Sequence, residues 1–449
     1  MKSKEVDLLL EGATVVTMDD QGRVLNKGLV AIREGRIVAV EETPSAFYLA
    51  KERIDAEGCL VIPGLVNCHT HAAMTLFRGL AEDLPLKEWL TRYIFPAEAR
   101  FVNPSFVYWG SKLACLEMVK GGITAFCDMY FFEEEVAKAA SEVGVRALLG
   151  EGLLDFPSPS AFSPQDALRR TEVLICSLKD DSLVRPCVAP HAVYTCSRGL
   201  LEKAADLARR YDLPLVIHLH ETKEEVEEVK ARYGKSPLRY LEELGILGPK
   251  VLACHCVWLE DEEMELLASK GVKVVHCPES NLKLGAGIAP LSSLLRRGVK
   301  VGLGTDGAAS NNDLDLFGEM DVAAKLQKGV SRDPSCLKAK QVFHMATKGG
   351  AGVLGMEVGS IAVGKRADLV VVELRRPHLS PLYDLYAQLV YAVKGSDVRE
   401  VIIGGKVVLK GGVVVTVEEG EVLERVREIS VEVKKVFSNS PCPPKHETS

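Results

Sequence analysis

The chain has 449 residues, of which 47% are hydrophobic and 26% charged, and its formal net charge is −7. This balance is typical of a globular protein with a large core, and the length predicts several domains or one barrel with additions. Lys and Arg are mixed with acidic residues and show no excess, which disfavours a nucleic-acid partner. The apolar stretches are shorter than a membrane span and the first residues lack the pattern of a cleavable leader, so we expect no membrane association and a cytoplasmic location.

The two ends of the chain carry short apolar runs separated by glycines, the pattern of strands joined by hairpin turns. Because each end alone offers too few strands for a stable sheet, we predict one small β-sandwich built from residues 1–60 and 358–420. A helix is predicted over 421–436, where acidic and apolar residues alternate at helical spacing. The polar, Pro-rich residues 437–449 are predicted to be disordered.

Between these ends, Val/Ile/Leu-rich runs alternate with longer charged amphipathic stretches, which is the pattern of βα units around a parallel sheet. Eight such runs occur within residues 61–357, and eight is the strand number of a (β/α)8 TIM-like barrel. We therefore predict an α/β fold in which this barrel packs beside the sandwich. The predicted strands cover residues 61–71, 123–129, 146–152, 184–190, 214–221, 251–256, 272–278 and 300–306.

Ionisable side chains end these predicted strands, where barrel enzymes collect their metal ligands and catalytic groups. His69 and His71 are two residues apart, so both imidazoles lie on one face of a strand and can reach a single ion. An isolated pair of this kind is as often structural, but His218 and Asp306 end two further strands. The four residues form a ligand set suited to zinc or iron, with an open position for a water whose pKa the ion would lower. The remaining strand ends carry Asp128, Glu151, His191, His255 and His276.

Other polar residues near the strand ends have simpler interpretations. His220 shares a strand face with His218, and we assign it at most a supporting position behind the metal ligands. Cys254 and Cys256 lack the spacing of a zinc knuckle, so we interpret them as thiols of the core. No role is assigned to His276.

Four stretches of the sequence carry a resemblance to a known family. They are VIPGLVNCHTHAAMTLFRGLAEDLPLKEWL, IHLHETKEE, HCPESNLKLGAGIAP and GLGTDGAASNN. With these motifs the chain resembles the amidohydrolase superfamily, and within it the 5′-methylthioadenosine/S-adenosylhomocysteine deaminases, over nearly its whole length. The resemblance implies hydrolytic deamination of an adenosine-type nucleoside, a small-molecule substrate, and a chain that often assembles as a homo-oligomer.

The resemblance also implies a metal site and the catalytic residues. One divalent ion per subunit, zinc or alternatively iron, would be held by residues matching His69, His71, His218 and Asp306. Glu221 matches the family's proton-transfer glutamate, and His255 matches a histidine beside the reacting water. Asp306 would accept the water's proton and pass it to the leaving ammonia.

Substrate contacts follow from the same resemblance. Trp89 matches a tryptophan that packs on the nucleoside, Glu98 a glutamate that binds the ribose hydroxyls, and His191 a histidine on the substrate. Members that use S-adenosylhomocysteine have an arginine after the third strand, where this chain has Glu151. A carboxylate there would repel the amino-acid carboxylate, unless an arginine in the following loop compensates. We therefore expect a preference for an uncharged 5′ group, as in 5′-methylthioadenosine, 5′-deoxyadenosine or adenosine.

Other functions stay open on the sequence alone. Related scaffolds deaminate guanine, 8-oxoguanine or cytosine, or hydrolyse amino- and chloro-triazines, and none of these substrates offers Glu98 a ribose. A non-catalytic scaffold protein is a remote alternative, which the intact set of ligand and proton-transfer residues disfavours. A deaminase of polynucleotides is disfavoured by the acidic balance and by the missing HxE and PCxxC signature.

Overall fold

The computed structural model describes residues 3–439. Short 3-10 or π-helical turns occupy Ala72–Phe77, Trp89–Ile94, Met345–Gly349, Pro377–Leu379 and Gly395–Asp397. The strands are β1 Ser3–Val16, β2 Val24–Arg33, β3 Arg36–Glu41, β4 Phe47–Asp55, β5 Cys59–Pro63, β6 Leu65–Thr70, β7 Ile123–Tyr130, β8 Arg146–Leu153, β9 Val184–Pro186, β10 Ala189–Pro190, β11 Leu215–Leu219, β12 Val251–His255, β13 Lys273–His276, β14 Val301–Leu303, β15 Leu369–Glu373, β16 Val398–Ile403, β17 Lys406–Lys410 and β18 Val413–Val414. The α-helices are α1 Leu86–Glu88, α2 Phe95–Phe101, α3 Pro104–Lys120, α4 Glu133–Val143, α5 Pro164–Ser177, α6 Arg198–Arg210, α7 Lys223–Tyr233, α8 Pro237–Glu243, α9 Asp261–Lys270, α10 Pro278–Lys283, α11 Leu291–Arg296, α12 Leu316–Ser331, α13 Ala339–His344, α14 Gly350–Leu354, α15 Leu385–Tyr391 and α16 Glu419–Asn439.

Strands β6 to β14 form the parallel wall of a barrel. β6, β7, β8 and the split fourth strand, β9 with β10, pair in one half, and β11 to β14 pair in the other. Backbone bonds join the two halves, from Val188 N to Pro214 O at 2.9 Å and from Asp306 N to His69 O at 3.0 Å. The eight-stranded TIM-like barrel predicted from the sequence is confirmed.

Local sequence signals set where the outer helices begin and end. Ser197, Thr222 and Ser236 each accept an N–H of the first turn of α6, α7 and α8, which satisfies a donor that has no partner within the helix. α4 and α9 end at Gly144 and Gly271, which adopt the left-handed conformation that closes a helix at low cost. These short caps let each helix return the chain to the next barrel strand.

The two chain ends share one nine-stranded, largely antiparallel sheet in the order β18-β17-β16-β15-β5-β1-β2-β3, with β4 also on β1. The antiparallel pair of β5 and β15 joins the N-terminal strands to the C-terminal ones, as the prediction of a composite domain requires. Side chains alternate along β5, so Val61 belongs to the core of this sheet, whereas Leu60 and Ile62 belong to the core of the barrel. The barrel and the sheet therefore pack through a shared hydrophobic layer.

The element bounds differ slightly from those expected. β5 crosses the expected boundary at residue 60, and the first barrel strand begins at Leu65. The C-terminal helix, expected over 421–436, extends from Glu419 to Asn439. The part of the expected disordered tail that begins at residue 440 lies outside the described residues. Within residues 3–439 the structure has no helix that is both long and apolar enough to cross a membrane.

Candidate active site

Four predicted metal ligands meet at one end of the barrel. His69 lies near the end of β6 and His71 directly after it, His218 lies in β11, and Asp306 follows β14. Asp306 Oδ1 is 3.2 Å from His71 Nε2 and 3.4 Å from His69 Nε2. Asp306 adopts a left-handed φ of +62°, a conformation that costs a non-glycine residue about 1 kcal/mol or more and is frequent at functional sites.

The hydrogen bonds of the imidazoles identify the atoms that are free to bind an ion. His71 Nδ1 donates to Met129 O at 2.6 Å, and His218 Nδ1 donates to His191 O at 2.8 Å. The lone pairs of these two rings are therefore on their Nε2 atoms, which lie 3.4 Å apart. Neither ring nitrogen of the buried His69 has a hydrogen-bond partner among the described residues. Converging nitrogen lone pairs beside a carboxylate fit a divalent cation.

The second oxygen of Asp306 is held by hydroxyl groups. Oδ2 accepts hydrogen bonds from Ser280 at 2.6 Å and Ser310 at 2.7 Å, which leaves Oδ1 toward the imidazoles. Burial opposes ionisation of Asp306, but the imidazoles of His69 and His71 beside its Oδ1 outweigh burial and hold the pKa well below the usual range. The same carboxylate, acting against burial, raises the pKa of His71 to about 9. A bound cation would take the place of the proton on this imidazole.

His255 lies at the end of β12 beside the ligand set. Its Nδ1 bonds to Asn281 Oδ1 at 2.8 Å, whereas its buried Nε2 has no partner within the described part of the chain. A ligand atom of His255 lies within 4.8 Å of ligand atoms of His69 and His218. His255 can therefore contact a group bound between these rings.

A cavity opens over these side chains. Glu221, which is 7% exposed, lines it together with His71, His218 and Asp306. Burial raises the pKa of Glu221, so this carboxyl group keeps a proton more readily than a solvated glutamate. The cavity thus combines the candidate metal site with a carboxyl group suited to proton transfer.

Most of the residues that were predicted to contact the substrate line this cavity. Trp89, in the π-helical turn before α2, and Glu98, in α2, lie on its wall, and so does His191 after β10. Tyr130 donates to Glu98 Oε1 at 2.7 Å, and burial, opposed by this bond, raises the pKa of Glu98 to about 7. His191 stays neutral, because burial and the neighbouring imidazoles lower its pKa to about 3.

The comparison with known families agrees with this arrangement. The model of the amidohydrolase family matches residues 60–408. The chain belongs to the amidohydrolase family. The resemblance inferred from the sequence motifs is thereby confirmed, and this amidohydrolase has the histidine-rich site that a divalent metal ion requires.

Several relatives resemble this amidohydrolase over nearly its full length. The 5-methylthioadenosine/S-adenosylhomocysteine deaminase of Syntrophobacter fumaroxidans is 52% identical over 97% of this chain and 100% of the relative. The 5′-deoxyadenosine deaminase of Methanothermobacter thermautotrophicus is 45% identical over 91% of this chain and 95% of the relative. A crystal structure of an adenosine deaminase from Xanthomonas campestris with bound zinc matches with a TM-score of 0.95 and 39% identity, over 97% of this chain and 100% of that one.

One residue expected at the substrate of this amidohydrolase lies elsewhere. Glu151 does not line the cavity, although its neighbour Gly152 does, because successive side chains of β8 point to opposite faces. The buried Glu151 carboxylate accepts the N–H of Glu133 at 3.2 Å and bonds to Ser160. Arg170 Nε is 3.4 Å from Glu151. Glu151 is therefore held in the surrounding structure rather than in the substrate cavity.

His220 also departs from the sequence-based placement. β11 ends at Leu219, and His220 takes a left-handed φ of +55°, which turns its side chain away from the face of His218. Its Nδ1 bonds to Trp258 O at 2.6 Å and its Nε2 to Leu238 N at 3.1 Å. The predicted strand 214–221 extends two residues past the end of β11, so strand alternation does not apply at His220.

Sequence reasoning missed the residues that orient the ionisable groups of the candidate site. Asn281 positions His255, Ser280 and Ser310 position Asp306, and Tyr130 positions Glu98. A signal was present, because Ser280, Asn281 and Ser310 lie in two of the motifs that carry the family resemblance. Small polar residues just after a strand end are natural partners of the ionisable groups there.

Proposed function

We propose that this amidohydrolase hydrolytically deaminates an adenosine-type nucleoside, releasing the inosine analogue and ammonia. The observation that carries the proposal is one cavity lined by three of the four candidate metal ligands, by the buried Glu221 and by Glu98 and Trp89. The relatives named as deaminases of 5-methylthioadenosine, S-adenosylhomocysteine and 5′-deoxyadenosine support the same reaction.

His69, His71, His218 and Asp306 would hold one divalent ion per subunit. Zinc is our first choice, because it prefers nitrogen-rich sites of low coordination number, and iron is the alternative. The zinc in the related Xanthomonas campestris deaminase supports this choice. When bound, the ion supplies Lewis-acid activation of water near neutral pH.

The side chains of the cavity would carry the proton transfers. Glu221, protonated because of its burial, donates to the purine ring nitrogen while water adds to the amine-bearing carbon. Asp306 accepts one proton from that water and passes it to the amine, which leaves as ammonia when the C–N bond breaks. The second proton of the water returns to Glu221 as the C=O bond forms. His255, anchored through Nδ1 by Asn281, orients the water.

Glu98 and Trp89 would recognise the nucleoside rather than the free base. The carboxylate of Glu98 can accept hydrogen bonds from two ribose hydroxyls, and Tyr130 holds it in place. Trp89 supplies a flat apolar surface in the same wall. A free base or a triazine would leave Glu98 with no partner other than Tyr130, so acceptor positions of the buried carboxylate would stay unsatisfied, which costs binding energy.

The cavity favours an uncharged 5′ substituent. None of the described side chains that line it is a Lys or Arg, and part of its wall is formed by Leu86, Leu90, Phe95 and Leu154. The nearby Arg170 pairs with Glu134 at 2.6 Å as well as with Glu151. The carboxylate of S-adenosylhomocysteine would find no free cation there. The preference expected from the sequence is therefore supported, but by the apolar wall rather than by Glu151.

Ammonia release from purified, metal-analysed protein tests this function. We expect turnover of 5′-methylthioadenosine, 5′-deoxyadenosine and adenosine, with a lower kcat/KM for S-adenosylhomocysteine. Glu221→Gln should lower kcat by about 10²- to 10⁴-fold without loss of metal. Turnover confined to guanine or a triazine would contradict the assignment of a nucleoside substrate.

A further inference from the structure

The turn between β11 and α7 carries Glu221 into the cavity, and a second buried glutamate holds that turn. β11 ends at Leu219 and α7 begins at Lys223, so residues 220–222 belong to neither element. We propose that Glu225, in the first turn of α7, is a positioning residue for proton transfer by Glu221. This inference rests on the proposed function, because it concerns the same reaction.

The carboxylate of Glu225 binds the backbone of the turn. Oε2 accepts the N–H of Glu221 at 2.7 Å and Oε1 accepts the N–H of His220 at 3.3 Å. In an ordinary capping box, a glutamate at this helix position bonds to the N–H of the capping residue, here Thr222. Thr222 makes its half of the box, because its hydroxyl accepts the N–H of Glu225 at 3.1 Å. The carboxylate of Glu225 therefore bonds to the N–H of Glu221, the proposed proton donor, instead of the N–H of the capping residue Thr222.

His220 is held on its other side by the loop after β12. Its carbonyl oxygen accepts the N–H groups of Val257 at 2.9 Å and Trp258 at 3.0 Å. Its ring Nε2 must accept from the N–H of Leu238, so the ring proton is on Nδ1, which donates to Trp258 O. These bonds maintain the left-handed φ of His220. With Glu225 bonded on the opposite side, the backbone before Glu221 has little freedom.

Burial of the Glu225 carboxyl group costs free energy unless its hydrogen bonds to the turn compensate for it. Its side chain is 5% exposed and it does not line the cavity, so it has no direct access to substrate. Burial raises the pKa of Glu225, and its bonds to the backbone N–H groups oppose this shift. Two buried acids in proximity destabilise each other. The two N–H groups of the turn are the contacts that offset this cost.

Glu225→Gln tests the proposal with little change of shape. The amide can accept one of the two N–H groups but presents its own NH₂ to the other, so the turn should shift. We expect kcat to fall about 10- to 100-fold, since small misplacements of a catalytic group have effects of this size. KM should change by less than about twofold and the metal content should not change. Glu225→Asp, which keeps the charge but is shorter, should also lower kcat.

Asp397→Asn is the matched control. Asp397 is a buried carboxylate that accepts the N–H of Lys394 at 3.0 Å in a capping box, and it does not line the cavity. Its substitution should lower Tm and leave kcat unchanged. A loss of kcat in this control that matched the loss in Glu225→Gln would indicate a general effect of destabilisation and overturn the proposal.

A double-mutant cycle separates positioning from other effects. If Glu225 acts through Glu221, then Glu225→Gln should cause no further loss of kcat in a Glu221→Gln background. An equal fold loss in both backgrounds, or a Glu225→Gln enzyme with wild-type kcat, would overturn the proposal. The ratios can be measured on whichever substrate of the panel the wild type uses. Turnover of guanine alone would thus contradict the nucleoside assignment while the cycle still decided the role of Glu225.

Discussion

At the scale of single residues, burial and neighbouring charges set the protonation of the carboxyl groups that line the cavity. Glu221 and Glu98 both have raised pKa values because their carboxyl groups are removed from water. Asp306 has the opposite shift, because the imidazoles of His69 and His71 beside it outweigh the effect of burial. One cavity therefore contains a carboxyl group that keeps its proton and a carboxylate that does not, which is the pairing that acid and base chemistry needs.

The protonation of Glu98 should be visible in substrate binding. Its pKa of about 7 means that the carboxylate, which accepts from the ribose hydroxyls, is lost as the pH falls below that value. We expect KM for the nucleoside to rise several-fold between about pH 8 and about pH 6. KM measured against pH for the wild type and for Glu98→Gln checks this. The variant should have a higher KM with no such dependence, and an identical pH dependence in both enzymes would contradict it.

At the scale of elements, the barrel closes where β14 meets β6. β14 and the residue after it approach β6 so closely that there is no room for a side chain at position 302 or 304, and both positions are glycines. A Cβ on Gly304 would lie 2.9 Å from both the Cβ and the N of His69, and one on Gly302 would lie 2.5 Å from the Sγ of Cys68. The absence of a side chain at these positions lets Asp306 and His69 approach the same point.

Gly304→Ala should therefore damage the metal site. The added methyl group must displace the backbone of β6 at His69, so we expect loss of bound metal and a fall in kcat of at least about tenfold. Metal analysis and kinetics of the purified variant check this. Gly329→Ala is the control, because a Cβ there would meet nothing within 4 Å. In helix α12 this substitution should preserve activity, and metal retention by Gly304→Ala would contradict the steric account.

At the scale of the whole molecule, one buried ion pair ties the barrel to the composite sheet. Arg146, at the start of β8, contacts Asp368, just before β15, with distances of 2.6 Å from Nε to Oδ2 and 3.0 Å from Nη2 to Oδ1. Asp368 also accepts the N–H of Gly404 at 2.8 Å. Both side chains are nearly inaccessible to solvent and neither lines the cavity.

Asp368→Ala should destabilise the protein without impairing catalysis. It leaves the Arg146 guanidinium buried and unpaired, which costs about 3–5 kcal/mol. Denaturant unfolding together with kcat at a temperature where the variant is folded checks this. The double variant Arg146→Met/Asp368→Leu should recover most of the loss. Lys51→Ala, which breaks the exposed pair with Asp7, should have little effect. Equal destabilisation by the exposed and the buried changes would contradict this account.

The sequence by itself determined the approximate strand positions and predicted the candidate ligand set. Buried parallel strands appear as continuous apolar runs, so the eight runs and the side chains that end them could be located without coordinates. The family motifs then assigned His69, His71, His218 and Asp306 together. The pairing of both chain ends in one sheet could also be predicted, because each end alone offers too few strands for a stable sheet.

Only the tertiary structure decided where some of these side chains lie. The direction of Glu151 depends on which face of β8 it occupies, and that of His220 depends on the residue at which β11 stops alternating; the apolar runs mark neither. The partner of Glu98 is Tyr130, from a separate segment, and the partners of Glu225 are backbone N–H groups, which have no sequence signature. Whether a buried acid lines the cavity or supports it is set by packing across the barrel, since chemistry alone permits both.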